Sequence, residues 1–364
     1  MEQPGKKKYD LVLILALVLL NLVGLVILYS TSAYNGEVKF HDSFYYLKKQ
    51  LFATILGIAC VYVTAQIDYH YWKKFAVLGY LISLILSLLV LFIGDEYNGS
   101  KRWLSFGPVS FQPSEYAKVA VILFLSYLVT KNVKTMHRFV TMFKILVLIL
   151  PIVGLVGSNN LSTAIIILGI AVILIFVASP KYGQFIVMGT LGIGFMMVFL
   201  ALESYRLERL AIWRHPENFE KGYQTMQGLY AIGSGGLFGR GLGNSIQKLG
   251  FVPEAQNDMI FSIICEELGL VGACLVLFLF LLIIWRFFVI AWRAPDLFGT
   301  LIAGGAMAHM MIQVILNVAV VTNSIPNTGI TLPFISYGGT SVVFLMVEMG
   351  LVLSVSSLVK YTEI

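Results

Sequence analysis

The chain has 364 residues, of which 58% are hydrophobic and only 12% charged, with a net charge of +6. Soluble domains carry about twice that fraction of charge, so the composition excludes an ordinary soluble enzyme. The positive balance requires no nucleic acid, because Lys and Arg gather beside apolar runs, where membrane topology places them.

About ten of those runs are long enough to cross a hydrocarbon core of roughly 30 Å. The first covers 11–30 and follows Lys6, Lys7 and Lys8. It is longer than the apolar stretch of a signal peptide, so it reads as an uncleaved first span. The next four cover 49–66, 75–94, 114–131 and 139–157, and the second half of the chain offers 161–179, 183–203, 259–285, 297–322 and 339–358. The predicted fold is an all-α polytopic membrane protein, a single transmembrane domain over 1–364, with backbone polar groups satisfied inside each helix. Placing both termini inside puts Lys6–Lys8, Lys73, Lys74, Lys131, Lys134, Arg138, Lys181, Arg286, Arg293 and Lys360 on the cytoplasmic side, as the positive-inside rule requires. Trp72, Trp285 and Trp292 stand beside those charges, as interfacial anchors do. Cys60, Cys265 and Cys274 fall in apolar runs without metal-ligand spacing and read as packing residues.

Three longer segments then face outward: 95–113, 204–258 and 323–339. The middle one is a large extracytoplasmic loop between spans seven and eight. It is too long for a mere connector, and loops of that kind carry function. Chemistry is therefore expected on the extracytoplasmic face.

Asp258 ends that loop and opens an apolar helix. It reads either as a helix cap or as a general base at the membrane surface, where a carboxylate meets a substrate hydroxyl. Glu266 and Glu267 lie two turns further on, and ionisable residues inside a span are usually functional. Their alternative is a structural ion pair. Asp258, Ser262 and Glu266 are spaced to share one helix face. Glu115 and Lys118 open the fourth span three residues apart, close enough to pair, and Lys118 could offer its charge to a phosphate. Lys101, Arg102, Arg206, Arg209, Arg214 and Arg240 are outer cations. Arginine suits a pyrophosphate because its planar fork donates two parallel hydrogen bonds. Lipid headgroup binding is the plainer alternative, favoured for Arg214 and Lys248. The glycine-rich run 233–243 lacks the Gly-Lys-Ser/Thr ending of a nucleotide loop and reads as tightly turning backbone. No histidine clusters like a metal site, and His309, like the others, is given no catalytic role.

Together these segments resemble the SEDS family (shape, elongation, division and sporulation), whose members include FtsW, RodA and SpoVE. The resemblance covers nearly the whole chain. It rests on Asn98-Gly99-Ser100-Lys101-Arg102-Trp103-Leu104 with Gln112-Pro113-Ser114-Glu115, and on Tyr205-Arg206 with Arg209 and Gly222-Tyr223-Gln224. It continues through Gly241-Leu242-Gly243-Asn244-Ser245, Pro253-Glu254-Ala255, Asp258 and Glu266-Glu267-Leu268-Gly269 to Leu332-Pro333-Phe334-Ile335-Ser336-Tyr337-Gly338-Gly339. Val321-Thr322-Asn323 and Pro326-Asn327-Thr328-Gly329 stand closer to FtsW and SpoVE than to RodA. The resemblance implies a ten-span glycosyltransferase of the bacterial cytoplasmic membrane that uses lipid II, with Asp258 at the position of the family's essential aspartate. It implies a class B penicillin-binding protein, a transpeptidase, as partner. The chain departs from the family at Asn159-Asn160-Leu161-Ser162-Thr163, where many members read Pro-Asp-Leu-Gly-Thr.

The expected activity is polymerisation of glycan strands with release of undecaprenyl pyrophosphate. Asp258 is the expected base, and Lys101, Arg102, Glu115, Lys118, Arg206, Arg209, Arg240, Glu254 and Glu266 are the substrate-binding candidates. Membrane lipids hold the body; no cofactor and no metal site are assigned, and a divalent cation is left open. The alternatives are a lipid II flippase without chemistry and a scaffold that recruits division proteins.

Overall fold

The computed structural model describes residues 8–97, 100–107, 109–181, 183–187, 189–190 and 211–359. Six helices fill the first half: α1 (Leu11–Phe40), α2 (Tyr45–Gln66), α3 (Trp72–Ile93), α4 (Pro113–Lys131), α5 (Phe139–Gly157) and α6 (Leu161–Ala178). After a shorter helix, α7 (Tyr223–Gly235), come α8 (Ile260–Arg293), α9 (Leu297–Val321) and α10 (Gly339–Ser356). Among the described residues, eight helices are long and apolar enough to cross a membrane. α4 is a further helix whose first turns carry the charges of Glu115 and Lys118. The expected span 183–203 and the candidates Arg206 and Arg209 lie largely or wholly outside the described residues.

The helices turn large apolar side chains outward. Phe52, Phe92, Leu275 and Leu281 are all more than 60% exposed, an arrangement that lipid satisfies and water would penalise. Inside lie two apolar cores. One gathers α1, α8, α9 and α10, and the other gathers α4, α5 and α6. α10 packs chiefly on α2. A Cβ on Gly350 would stand 1.7 Å from the Thr64 hydroxyl, so glycine there permits the close approach that membrane helices favour.

Two helices outrun their expected ends. α1 continues to Phe40, because Ser30, Thr31, Ser32 and Gly36 are buried against the rest of the protein and not at a water boundary. At its other end Asp10 caps the helix, accepting from Leu13 N at 2.9 Å, and the Arg286 guanidinium clamps the same carboxylate. That clamp ties the start of α1 to α8, which continues to Arg293.

The segment 211–258 is folded inward. α7 runs beside the first turns of α8: Gly228 meets Met259 and Ser262, and a Cβ on Gly235 would stand 1.9 Å from Cys265 O. The chain then turns back through Gly236, Gly239, Gly241 and Gly243, all at positive φ. Opposite this turn α8 breaks at Gly269 (φ 68°, ψ −169°). A broken helix leaves amides and carbonyls unpaired, and the glycine-rich turn supplies their partners. Arg240 N and Gly241 N donate to Glu266 O and Glu267 O, each at 2.9 Å. Leu270 N and Val271 N donate back to Gly236 O at 2.9 Å and Leu237 O at 3.1 Å. The run read as tightly turning backbone is thus the mate of a helix break.

A three-stranded antiparallel sheet, β1 (Asp95–Tyr97), β2 (Ser100–Phe106) and β3 (Val109–Phe111), joins α3 to α4.

Candidate active site

A cavity of about 520 Å³ opens where the sheet, the starts of α4 and α6, the segment 254–258 and the segment 329–341 converge. Asp258, Glu254, Glu115, Lys118 and Arg102 all line it, together with Gln256, Asn257, Gln313 and Tyr337. Five candidates from three separate stretches of sequence are thereby brought to one space.

Asp258 precedes α8 and does not belong to it, since the helix begins at Ile260. Its backbone carbonyl accepts from Asn317 Nδ2 at 2.8 Å, and Asn317 also holds Ile330 O at 2.7 Å. One buried amide on α9 therefore fixes both walls of the cavity. The Asp258 carboxylate accepts from Gln224 Nε2 at 3.2 Å. Among the described residues it forms no salt bridge. Burial, and then the neighbouring Glu254 charge, push its pKa up to about 6, because both disfavour the ionised form. Gly329, at φ 70°, passes close by: a Cβ there would stand 3.9 Å from Asp258 Oδ2.

Glu254 also sits at positive φ, 52°, a conformation costly for a residue with a side chain and often found at functional sites. Its carboxylate accepts from Asn257 Nδ2 at 2.5 Å and lies 4.0 Å from Lys39 Nζ.

Glu115 and Lys118 pair at 3.0 Å, both nearly sealed from solvent. Lys118 Nζ also donates to Gln313 Oε1 at 3.1 Å. The two readings of this pair thus coexist, as it is an ion pair and lines the cavity. Ser341 faces the Glu115 carboxylate from α10. Arg102 reaches in from β2 and donates from Nε to Asn159 O at 2.9 Å. Asn159 in turn donates to Lys101 O at 2.7 Å. Asn160 caps α6 by accepting from Thr163 N at 3.2 Å and lines the cavity. A neutral amide performs the capping that a carboxylate could also perform.

Other candidates stand apart. Glu266 does not line the cavity. It accepts from Ile246 N at 3.0 Å and from the Ser245 hydroxyl, with Arg240 at 3.8 Å. The expected face shared by Asp258 and Glu266 does not form, because Asp258 lies outside the helix and Glu266 turns to the glycine-rich return. Arg240 is committed to that same return, donating to Ser234 O at 3.5 Å. Lys101 points away, with Nζ 3.5 Å from Phe92 O. Lys248, read as a surface cation, is 6% exposed and pairs with Glu267 at 2.6 Å beside Ser30.

Several residues at the cavity carried no prior role. Gln224 and Asn317 hold Asp258, and Gln313 holds Lys118. A polar residue within an apolar span is the signal that marks Gln313 and Asn317. Among the described residues no three His, Cys, Asp or Glu side chains gather closely enough to hold a metal ion.

Comparison with known proteins agrees with this architecture. The family model described as "Cell cycle protein", named for FtsW, RodA and SpoVE, matches residues 10–361. The stage V sporulation protein E of Bacillus subtilis is 38% identical, over 98% of this chain and 99% of that protein. The probable peptidoglycan glycosyltransferase FtsW of Geobacter metallireducens is 37% identical, over 98% of this chain and 96% of that protein. A chain solved in work on the structural coordination of polymerization and crosslinking by a peptidoglycan synthase complex superposes with a TM-score of 0.81 at 28% identity, covering 97% of this chain and 99% of its own. The rod shape determining protein RodA of Thermus thermophilus superposes with a TM-score of 0.71 at 27% identity, covering 97% of this chain and 98% of its own. With nearly every residue matched in order, the chain belongs to the FtsW, RodA and SpoVE family of multi-pass membrane proteins.

Proposed function

We propose that this protein is a peptidoglycan glycosyltransferase of the bacterial cytoplasmic membrane that polymerises lipid II, with Asp258 as its general base. The observation that carries the reading is the convergence of Asp258, Lys118 and Arg102 on one cavity. A base with a pKa of about 6 is ionised at neutral pH yet basic enough to accept a proton as a bond forms. Asp258 takes the proton of the acceptor's sugar hydroxyl while that oxygen attacks the donor's anomeric carbon. The bond from that carbon to the phosphate oxygen breaks, and undecaprenyl pyrophosphate leaves with the electron pair. A single displacement turns an α-linked donor into a β-linked polymer. Lys118 and Arg102 stabilise the departing charge, a contribution that is largest when the donors are fixed beforehand. The ties of Lys118 to Glu115 and Gln313, and of Arg102 to Asn159, supply that fixing. Polyprenyl tails lie along the exposed apolar helix faces, and both termini face the cytoplasm.

The partner is a class B penicillin-binding protein that crosslinks the strands. The reading is supported by the likeness to a chain from a peptidoglycan synthase complex that couples polymerization to crosslinking. Purified protein with that partner and lipid II makes glycan in this reading. The Asp258→Ala variant, folded and inserted, makes it at least about a hundredfold more slowly. Polymer from that variant at the parent's rate would remove Asp258 from the chemistry. Movement of labelled lipid II between leaflets with no polymer formed would point instead to transport.

A further inference from the structure

A buried polar chain runs from the cavity into the helical core. Lys118 Nζ donates to Gln313 Oε1 at 3.1 Å, and His309 Nε2 lies 2.8 Å from the same oxygen. Gln313 Nε2 donates to Thr331 O at 3.0 Å. An ammonium only donates and a carbonyl only accepts, so these two neighbours settle which end of the Gln313 amide is oxygen. On the far side, His309 Nδ1 faces both oxygens of Glu348 at 2.9 Å. His309, Gln313 and Glu348 are at most 2% exposed, so water does not complete their bonding.

Counting protons gives the next step. Nε2 faces an acceptor and must carry hydrogen. Nδ1 faces a carboxyl group, and a hydrogen must lie between them. A neutral imidazole beside a carboxylate has only one hydrogen for these two places. The couple therefore holds one proton more, as an imidazolium against a carboxylate or as a neutral ring against a carboxylic acid.

We infer that His309 and Glu348 share a buried proton that keeps the Gln313 oxygen aimed at Lys118, which makes them positioning residues for the ammonium at the cavity wall. When that proton leaves, the neutral ring donates from Nδ1 to Glu348. The Nε2 lone pair then opposes the Gln313 oxygen, two acceptors 2.8 Å apart. Gln313 turns away, and Lys118 keeps only Glu115. The groups that set this equilibrium come from the packed helices. Glu348 stands on α10, and Lys118 and Glu115 stand on α4. α6 contains no ionisable Asp, Glu, Lys, Arg or His. On α8, Glu266 and Glu267 are held by the return segment 245–248, and Arg286 by Asp10.

The activity arm of the test rests on the polymerase reading, and the spectroscopic arm does not. In liposomes, protein with ¹⁵N-labelled histidine shows five side chains, and the His309 signal is identified by its loss in His309→Gln. The expected result is a hydrogen on Nε2, as the contact with the Gln313 oxygen requires. In Glu348→Gln the new amide donates to Nδ1, so Nε2 keeps its hydrogen. His309→Phe, which removes the donor, lowers kcat on the order of a hundredfold with a smaller change in KM. An Nε2 without hydrogen would overturn the inference, as would a His309→Phe protein with the parent's kcat. If the parent itself forms no polymer, the polymerase reading fails while the nitrogen signals still decide the proton's place.

Discussion

Two buried carboxylate groups of this protein lie within nine residues of each other and are treated in opposite ways. Glu266 and Glu267 are furnished with a lysine, an arginine, a serine and backbone amides from the return of the inward-folded segment, and with Ser30 from α1. Asp258 receives only neutral amide donors, the Gln224 side chain and the backbone amides of Asp258 and Met259, with no cation among the described residues, and it faces Glu254. A fully partnered buried charge is part of the architecture. A buried charge left short of partners, beside a like charge and open to a cavity, is poised for chemistry. Both sets are acidic residues at the head of the same helix, so residue type does not separate them; their neighbours do.

The largest expected effect tests the poised side. Asp258→Ala should cost polymerisation about 10²–10⁴-fold, the range for losing a general base, with an unchanged melting profile in detergent. Asp258→Asn should be no less stable than the parent at neutral pH. The sign follows from the raised pKa: the folded state holds this proton more tightly than the unfolded chain does. The stabilisation is complete below the ordinary aspartate value of 3.8 and is lost as pH rises through about 6.

Next comes the partnered side. Lys248→Met leaves Glu267 buried and unpaired, which should cost about 3–5 kcal/mol and lower the melting temperature and the yield of folded protein. A Lys248→Met protein that melts like the parent would erase the distinction between the two groups.

A smaller effect sharpens the comparison. Polymerase activity should rise with pH through about 6, as Asp258 ionises. Glu254→Gln removes the like charge, so that acid limb should move to lower pH, read from kcat/KM profiles of the two proteins. The least effect is expected from Lys101→Ala. Its side chain points away from the cavity, so stability should change by no more than about 0.5 kcal/mol and polymer yield should hold. A clear loss of yield would bring Lys101 back to the substrate.

How far the sequence could be read differs by element. The predicted span 139–157 coincides with α5, and 161–179 and 297–322 end one residue beyond α6 and α9. Apolar length against polar ends is a one-dimensional signal, and lipid enforces it. The outer half of α1 was not legible, because its Ser30–Gly36 stretch looks like a boundary until the buried partners Glu267 and Gln256 are in place. The pairing of Glu115 with Lys118 was within reach, since helical spacing alone brings those side chains together. The placement of Glu266 was not, because the break at Gly269 and the segment that repairs it lie about thirty residues apart in the chain.

The amino-acid sequence by itself determined that this is a helical membrane protein, where most spans lie, and which family it belongs to, because hydrophobic length and ordered motifs are carried along the chain. Only the tertiary structure decided which charges are spent on architecture and which line the cavity. The cost or use of a buried charge depends on the donors and acceptors brought to it from distant segments. For Asp258 these are Gln224, Glu254 and Asn317, and no spacing along the sequence announces that they meet.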